Sequence, residues 1–188
     1  SPMTEAGTRP RTSVFVGRSV DGFIARVGGT LDFLDVVDPV DGDTSFVDFL
    51  ASVDAMVMGR ATFDFVMRAG VDWPYGNRPM LVMTRRPLDV PDELAGIVEA
   101  SDEAPAAMLA RLAERGATHV YVDGGLTVRA FLRAGLIDDL ILTRVPVLIG
   151  SGVSVFGELA GDVRLDLVRS TTFPNGMVQT HDRTVGTP

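Results

Sequence analysis

The chain has 188 residues, is 46% hydrophobic, and carries 25 Asp and Glu against 17 basic residues for a net charge of −8. At roughly 100 to 200 residues per domain, this predicts one soluble globular domain with enough apolar surface for a core. There is no cysteine and every basic residue is arginine, which excludes disulfides, thiolate metal sites, cysteine nucleophiles, lysine Schiff bases and Walker-type lysines.

Residues 1–11 are expected to be a disordered tail, and 12–184 a single domain. The stretch Ser1 to Thr12 lacks the apolar middle of a signal peptide. Thr12 to Val16, a β-branched and aromatic run closed by Gly17, predicts a mostly buried first strand. Arg18 to Val40, with glycines at 22, 28 and 29 and acids at 21, 32, 35 and 38, reads as a long functional loop or lid. Phe46, Val47, Phe49, Leu50 and Val53 recur at helical spacing and predict a helix capped near Asp43.

Ala55 to Met58 predicts a strand ending at Gly59, followed by a helix over Arg60 to Arg68. After the turn-rich Asp72 to Pro79, Met80 to Thr84 is a strand stopped by Arg85, Arg86 and Pro87. A short strand is expected near Ile97 to Glu99, then a helix over Ala104 to Arg115 stopped by Gly116. His119 to Val122 is a strand running into Gly124 and Gly125, and Leu126 to Ala134 a helix ended by Gly135. Strand, glycine, helix and strand in repetition predict an α/β fold on a mainly parallel sheet. Past Asp139, Leu140 to Ile149, Val163 to Phe173 and Met177 to Asp182 are strand-like without intervening helices, and Pro174-Asn175-Gly176 is a hairpin turn. The sheet is therefore expected to finish antiparallel.

Two strand ends place glycine directly before a helix, at Gly59-Arg60-Ala61-Thr62 and Gly124-Gly125-Leu126-Thr127. Glycine admits a phosphate close to the backbone, and the helix start attracts its charge, so the corners suit the two ends of a dinucleotide; singly, each is also plain turn chemistry. Arg85-Arg86, just after Thr84, forms a guanidinium pair suited to a phosphate monoester, or else two solvated surface arginines. No GxGxxG is present, so the ordinary dinucleotide fingerprint does not apply. His119 and His181 lack metal-ligand spacing, and no metal site is expected. Trp73 is expected either to line a pocket or to serve as a packed aromatic.

These pieces resemble the dihydrofolate reductase-like superfamily, in particular the reductase domain of the bacterial riboflavin-biosynthesis deaminase-reductase and its stand-alone relatives. The resemblance runs from about Ser13 to Asp182 and is carried by SVDGFIA at 19–25, VMGRATF at 57–63, LVMTRRP at 81–87, VYVDGGLTVRAFL at 120–132 and LIDDLILTRVPVLIGSGVSVF at 136–156. It implies a three-layer dihydrofolate reductase-like fold with about eight strands, mostly parallel, and an antiparallel C-terminal hairpin. It also implies NADPH as cofactor, with Gly59, Arg60 and Thr62 holding phosphates from one helix start and Gly124, Gly125, Leu126 and Thr127 from the other. Thr84, Arg85 and Arg86 would surround the 2′-phosphate, and Val16, Gly17, Ile24 and Ala25 would flank the nicotinamide.

On the substrate side, counting back from Gly59 puts Asp43 in register with the acidic residue that meets the pterin in dihydrofolate reductase. Asp43 equally suits a helix cap. Asp32 in the lid is a competitor and Asp48 a more distant one. The chain has Phe23 where riboflavin-pathway reductases carry a lysine, and it lacks the cysteines of the deaminase half.

The expected activity is hydride transfer from NADPH to a C=N or C=O group of a small pterin- or pyrimidine-like heterocycle, of the kind performed on a phosphoribosylamino-uracil. The alternative is a non-catalytic protein that binds or sequesters a ligand on the same fold. A homodimer in the cytoplasm is expected, with a small-molecule substrate. The acidic balance argues against nucleic acid, and no apolar run is long enough for a membrane.

Overall fold

Alternation within short strands sends side chains into two separate cores. In β3 (Ala55–Gly59), Ala55 and Val57 enter one core while Met56 and Met58 enter the other. β4 (Met80–Met83) and β6 (His119–Asp123) behave likewise, with Leu81, Val120 and Val122 on the first side and Met80, Val82 and Tyr121 on the second. A strand apolar on both faces must be covered on both, and helices do this. α1 (Ser45–Ser52) and α2 (Arg60–Arg68) contribute Phe49 and Phe63 to the second core; α3 (Pro105–Glu114) and α4 (Gly125–Arg133) contribute Met108, Leu109, Leu112, Val128 and Phe131 to the first. Each fully buried Leu, Met or Phe contributes roughly 1.5–3 kcal/mol.

This computed structural model describes residues 9–186. The remaining strands are β1 (Arg11–Arg18), β2 (Phe23–Ala25), β5 (Val98–Ser101), β7 (Asp139–Arg144), β8 (Val153–Ser154), β9 (Leu165–Thr172) and β10 (Val178–Thr184). Eight of the ten strands form one sheet in the order β5-β4-β3-β6-β1-β7-β10-β9. All pairings from β5 through β7 are parallel, and β10 pairs antiparallel with both β7 and β9. This is the expected mostly parallel sheet with an antiparallel end.

β3 and β6 lie side by side, yet the helices that follow them, α2 and α4, cover opposite faces of the sheet. A crevice therefore opens between their C-terminal ends, the place where open α/β sheets bind ligands.

Three expectations need correction. The tail of 1–11 is too long: Arg9 donates to Asp138 at 2.7 Å, and Arg11 begins β1 and pairs with the buried Asp139. Residues 1–8 lie outside the described residues. The loop of 18–40 contains β2, which pairs with β8, and a 3-10 turn over Asp32–Val36 that buries Phe33. The strand expected over 140–149 stops at Arg144, ahead of Pro146, and Asp21 then accepts hydrogen bonds from the Ile149 and Gly150 amides. Neither two- or three-residue strands nor pairing across that separation leaves a local periodic signal.

Candidate functional site

Gly59 and Gly124 occupy the N-cap positions of α2 and α4, and Gly124 has φ +103°, a conformation that disfavours any side chain. The two corners nearly touch. A Cβ on Gly124 would lie 3.2 Å from the Gly59 nitrogen and 3.0 Å from Thr62 Oγ1, and one on Gly59 would lie 2.9 Å from Thr127 Oγ1. Two helix beginnings, one from each face of the sheet, thus converge with bare backbone between them.

The crevice continues into a groove of about 690 Å³ lined by Gly59, Arg60, Thr62, Thr84, Arg85, Arg86, Gly124, Gly125, Leu126 and Thr127. Residues from three strand ends that are far apart in sequence are here brought together. Arg60 differs from its neighbours in how it is used: Nε donates to Asp64 at 3.0 Å, and Nη1 donates to Thr84 Oγ1 and Pro87 O, each at 3.2 Å. Its guanidinium straps α2 to the turn after β4. Arg85 and Arg86 are exposed, and the Arg86 amide donates to Thr84 Oγ1. The wall opposite, from the end of β5 to the start of α3, adds Asp102, Glu103, Ala104 and Pro105, none of which stood out in the sequence.

Val16, Gly17, Ile24 and Ala25 stand beside this groove rather than in its lining. A Cβ on Gly125 would lie 3.2 Å from both Ile24 Cδ1 and Val153 Cγ1, so the β2–β8 pair packs on the start of α4. Gly17, at the end of β1, faces Leu34 of the 3-10 turn, whose Cδ2 would lie 3.0 Å from an added Cβ.

The acids differ sharply in environment. Asp43 is exposed, and its Oδ1 accepts from the Ser45 amide at 2.9 Å, which holds the start of α1. Asp48 accepts from Thr44 Oγ1 at 2.8 Å in the same turn. Asp32 pairs with Arg26 on the exposed side of the lid and also accepts from Thr30; the Arg26 bond holds its carboxyl below the usual range.

Asp123 ends β6 directly before the Gly124 corner. Burial pushes its carboxyl up to about 6, against the opposing pull of the Gly124 amide and the Tyr121 hydroxyl. Tyr121, on the same side of β6, donates to Phe15 O at 3.2 Å, and burial together with the Asp123 charge pushes the Tyr75 hydroxyl up as well. A carboxyl poised near neutrality, with no cation paired to it among the described residues, is suited to holding and releasing a proton. The sequence offered one signal for it: an acid closing an apolar strand immediately before a glycine pair.

Trp73 is a packed aromatic: its ring contacts Phe63 and Tyr75, and Nε1 donates to Gly76 O at 3.0 Å. A second groove, about 740 Å³, lies on the α1 side of the sheet over Arg11, Asp139 and His181. It is the larger of the two and is lined also by Asp43 and Asp48; on its floor Arg11 and His181 pair with Asp139, and Ser13 with His119. That pairing ties β1 to β7 and β10.

Comparison with known proteins places these features in context. The family model of the RibD C-terminal domain matches residues 11–179. The uncharacterized protein YwjB of Bacillus subtilis is 31% identical over 172 residues, covering 91% of this chain and 96% of that protein. A solved structure described as a putative riboflavin biosynthesis protein from Shewanella sp. PV-4 is 35% identical with a TM-score of 0.87, covering 94% of this chain and 99% of that one. Dihydrofolate reductase from Enterococcus faecalis, solved with NADP(H), is 17% identical with a TM-score of 0.64 over 94% of this chain and 97% of its own. The fold is thus dihydrofolate reductase-like.

Proposed function

Because the chain belongs to the RibD C-terminal domain family, we propose that it is an NADPH-dependent reductase acting on a C=N or C=O group of a small pterin- or pyrimidine-like heterocycle. The observation that carries this proposal is the meeting of the Gly59 and Gly124 corners with Arg85 and Arg86 in one groove. The glycines are what let the two helix starts approach this closely, since a Cβ on either would meet the other corner, and the approach brings both sets of N-terminal amides to one groove.

In this proposal the Gly59 and Gly124 corners hold the pyrophosphate, Arg85 and Arg86 hold the 2′-phosphate, and Arg60 keeps the turn after β4 in place. The bound cofactor supplies a hydride. Val16, Gly17, Ile24 and Ala25 shape the inner end, and the Asp32–Val36 turn, seated on Gly17 through Leu34, excludes water. Asp123 holds the proton that completes the reduction. It suits that task better than Asp43 or Asp32, because both of those are exposed and committed to local partners.

A second copy is proposed to pair along β9, an edge strand exposed over all its residues, which include Leu165, Leu167 and Val168. Light scattering on the purified protein tests this. Among the described residues no helix is long and apolar enough to cross a membrane.

The activity is tested by mixing the protein with NADPH and a panel of pteridines and aminopyrimidines and following the absorbance of the reduced nicotinamide. Oxidation with at least one member of the panel is expected. Tight ligand binding with no oxidation by any member would favour a sequestering protein instead.

A further inference from the structure

The charged groups around the groove fall into two sets. Arg60 is paired with Asp64 on α2, and Arg111 on α3 is paired with both Glu99 and Glu103. Glu103 additionally accepts from Ser101 Oγ at 3.0 Å, which fixes its carboxylate. Arg85 and Arg86 after β4, and Asp102 after β5, form no salt bridge among the described residues, and all three are exposed. They nevertheless line the same space: both the groove itself and a side cup of about 380 Å³ opening from it, which is closed by Ser101, Glu103 and Arg111.

Taking the groove as the dinucleotide site proposed above, we propose that Asp102 sets its coenzyme preference. A carboxylate sharing the cup with Arg85 and Arg86 repels a ribose 2′-phosphate and neutralises part of the field that draws it in. The same carboxylate accepts hydrogen bonds from the hydroxyls of an unphosphorylated ribose, the solution that acids at strand ends provide in other dinucleotide sites. Arg111 gives no compensating attraction, because Glu99 and Glu103 already hold it. Asp102 therefore offsets part of the preference for NADP(H) over NAD(H) that the arginine pair creates.

The test is calorimetric titration of the full chain with NADP⁺ and NAD⁺ at low ionic strength, comparing wild type with Asp102→Asn. As a control, Asp162→Asn removes one acid on the rim of a different cavity. Asp102→Asn is expected to tighten NADP⁺ about 3- to 10-fold while changing NAD⁺ less than about 2-fold in the tighter direction, and added salt is expected to shrink the difference. An unchanged NADP⁺ to NAD⁺ ratio, or the same gain in Asp162→Asn, overturns the role of Asp102 but leaves the dinucleotide site standing. A wild-type protein that binds neither dinucleotide overturns both. Because Asp102 is exposed, unchanged melting temperatures are expected, and they tie any shift to the ligand.

Discussion

Gly124 faces Gly59 so closely that a single added carbon at Gly124 would stand 3.2 Å from the Gly59 nitrogen and 3.3 Å from its Cα. Nothing larger than hydrogen fits between the two helix starts, and the backbone at Gly124 is in a region that side chains avoid. Gly124→Ala is expected to cost about 1–3 kcal/mol of stability through backbone strain alone. It should also weaken NADP⁺ at least tenfold. Thermal melts with and without NADP⁺ check both parts; a retained ligand-induced rise in Tm would contradict the second.

Arg85 and Arg86 are exposed and make no ion pair among the described residues, so replacing them leaves the fold intact. A hydrogen bond to a charged group contributes about 1.5–3 kcal/mol. Loss of either arginine to alanine is therefore expected to weaken NADP⁺ by about 10- to 100-fold while altering NAD⁺ much less. Parallel titrations with the two dinucleotides make the comparison, and equal losses for both would place the arginines away from the 2′-phosphate.

Asp123 binds its proton more tightly in the folded chain, at about 6, than in the unfolded one, where its ordinary value is 3.8. The folded state thus holds the extra proton between these values, and stability falls as pH rises from about 4 to 6. Asp123→Asn is expected to raise stability by about 1–3 kcal/mol at pH 7 and to lose this advantage below about pH 4. Turnover should fall at least 100-fold, a typical size for loss of a general acid. Denaturant melts across pH, alongside turnover, separate the two effects. A variant that keeps full activity would remove Asp123 from the chemistry.

Asp139 shifts the opposite way. Burial alone would raise its carboxyl, but the hydrogen bonds from Arg11 and His181 outweigh burial and hold it at about 2. A depressed carboxyl stabilises above its unfolded value and loses that contribution as pH falls from about 4 through 2. Acid unfolding is expected in that window, with about 2 kcal/mol of the loss absent in Asp139→Asn. That variant should also be less stable than wild type at neutral pH, since Arg11 and His181 lose their anion.

The repeated strand–glycine–helix pattern, the arginine pair and the hairpin turn were legible in the sequence because each is a local device. A glycine before a helix, a Pro-Asn-Gly turn or an alternating apolar run acts within a few residues of itself. Hence the order and type of the long elements, and the glycine corners and arginine pair that line the groove, could be written down from the chain alone. What brings Gly59, Arg85 and Gly124 to one groove is sheet order, with β6 inserted between β3 and β1 after the chain has passed through β4 and β5.

Tertiary structure alone decided which carboxyl is buried and which are left exposed. The sequence singled out Asp43 and Asp32 and passed over Asp123. Their surroundings differ because burial and charge neighbours are non-local: Asp123 lies near Tyr75 from a distant loop, whereas Asp43 is exposed and accepts from the Ser45 amide two residues on. The β2–β8 pairing and the full exposure of β9 were hidden for the same reason. Pairing energy and solvent contact belong to neighbours in space, and no window along the chain contains them.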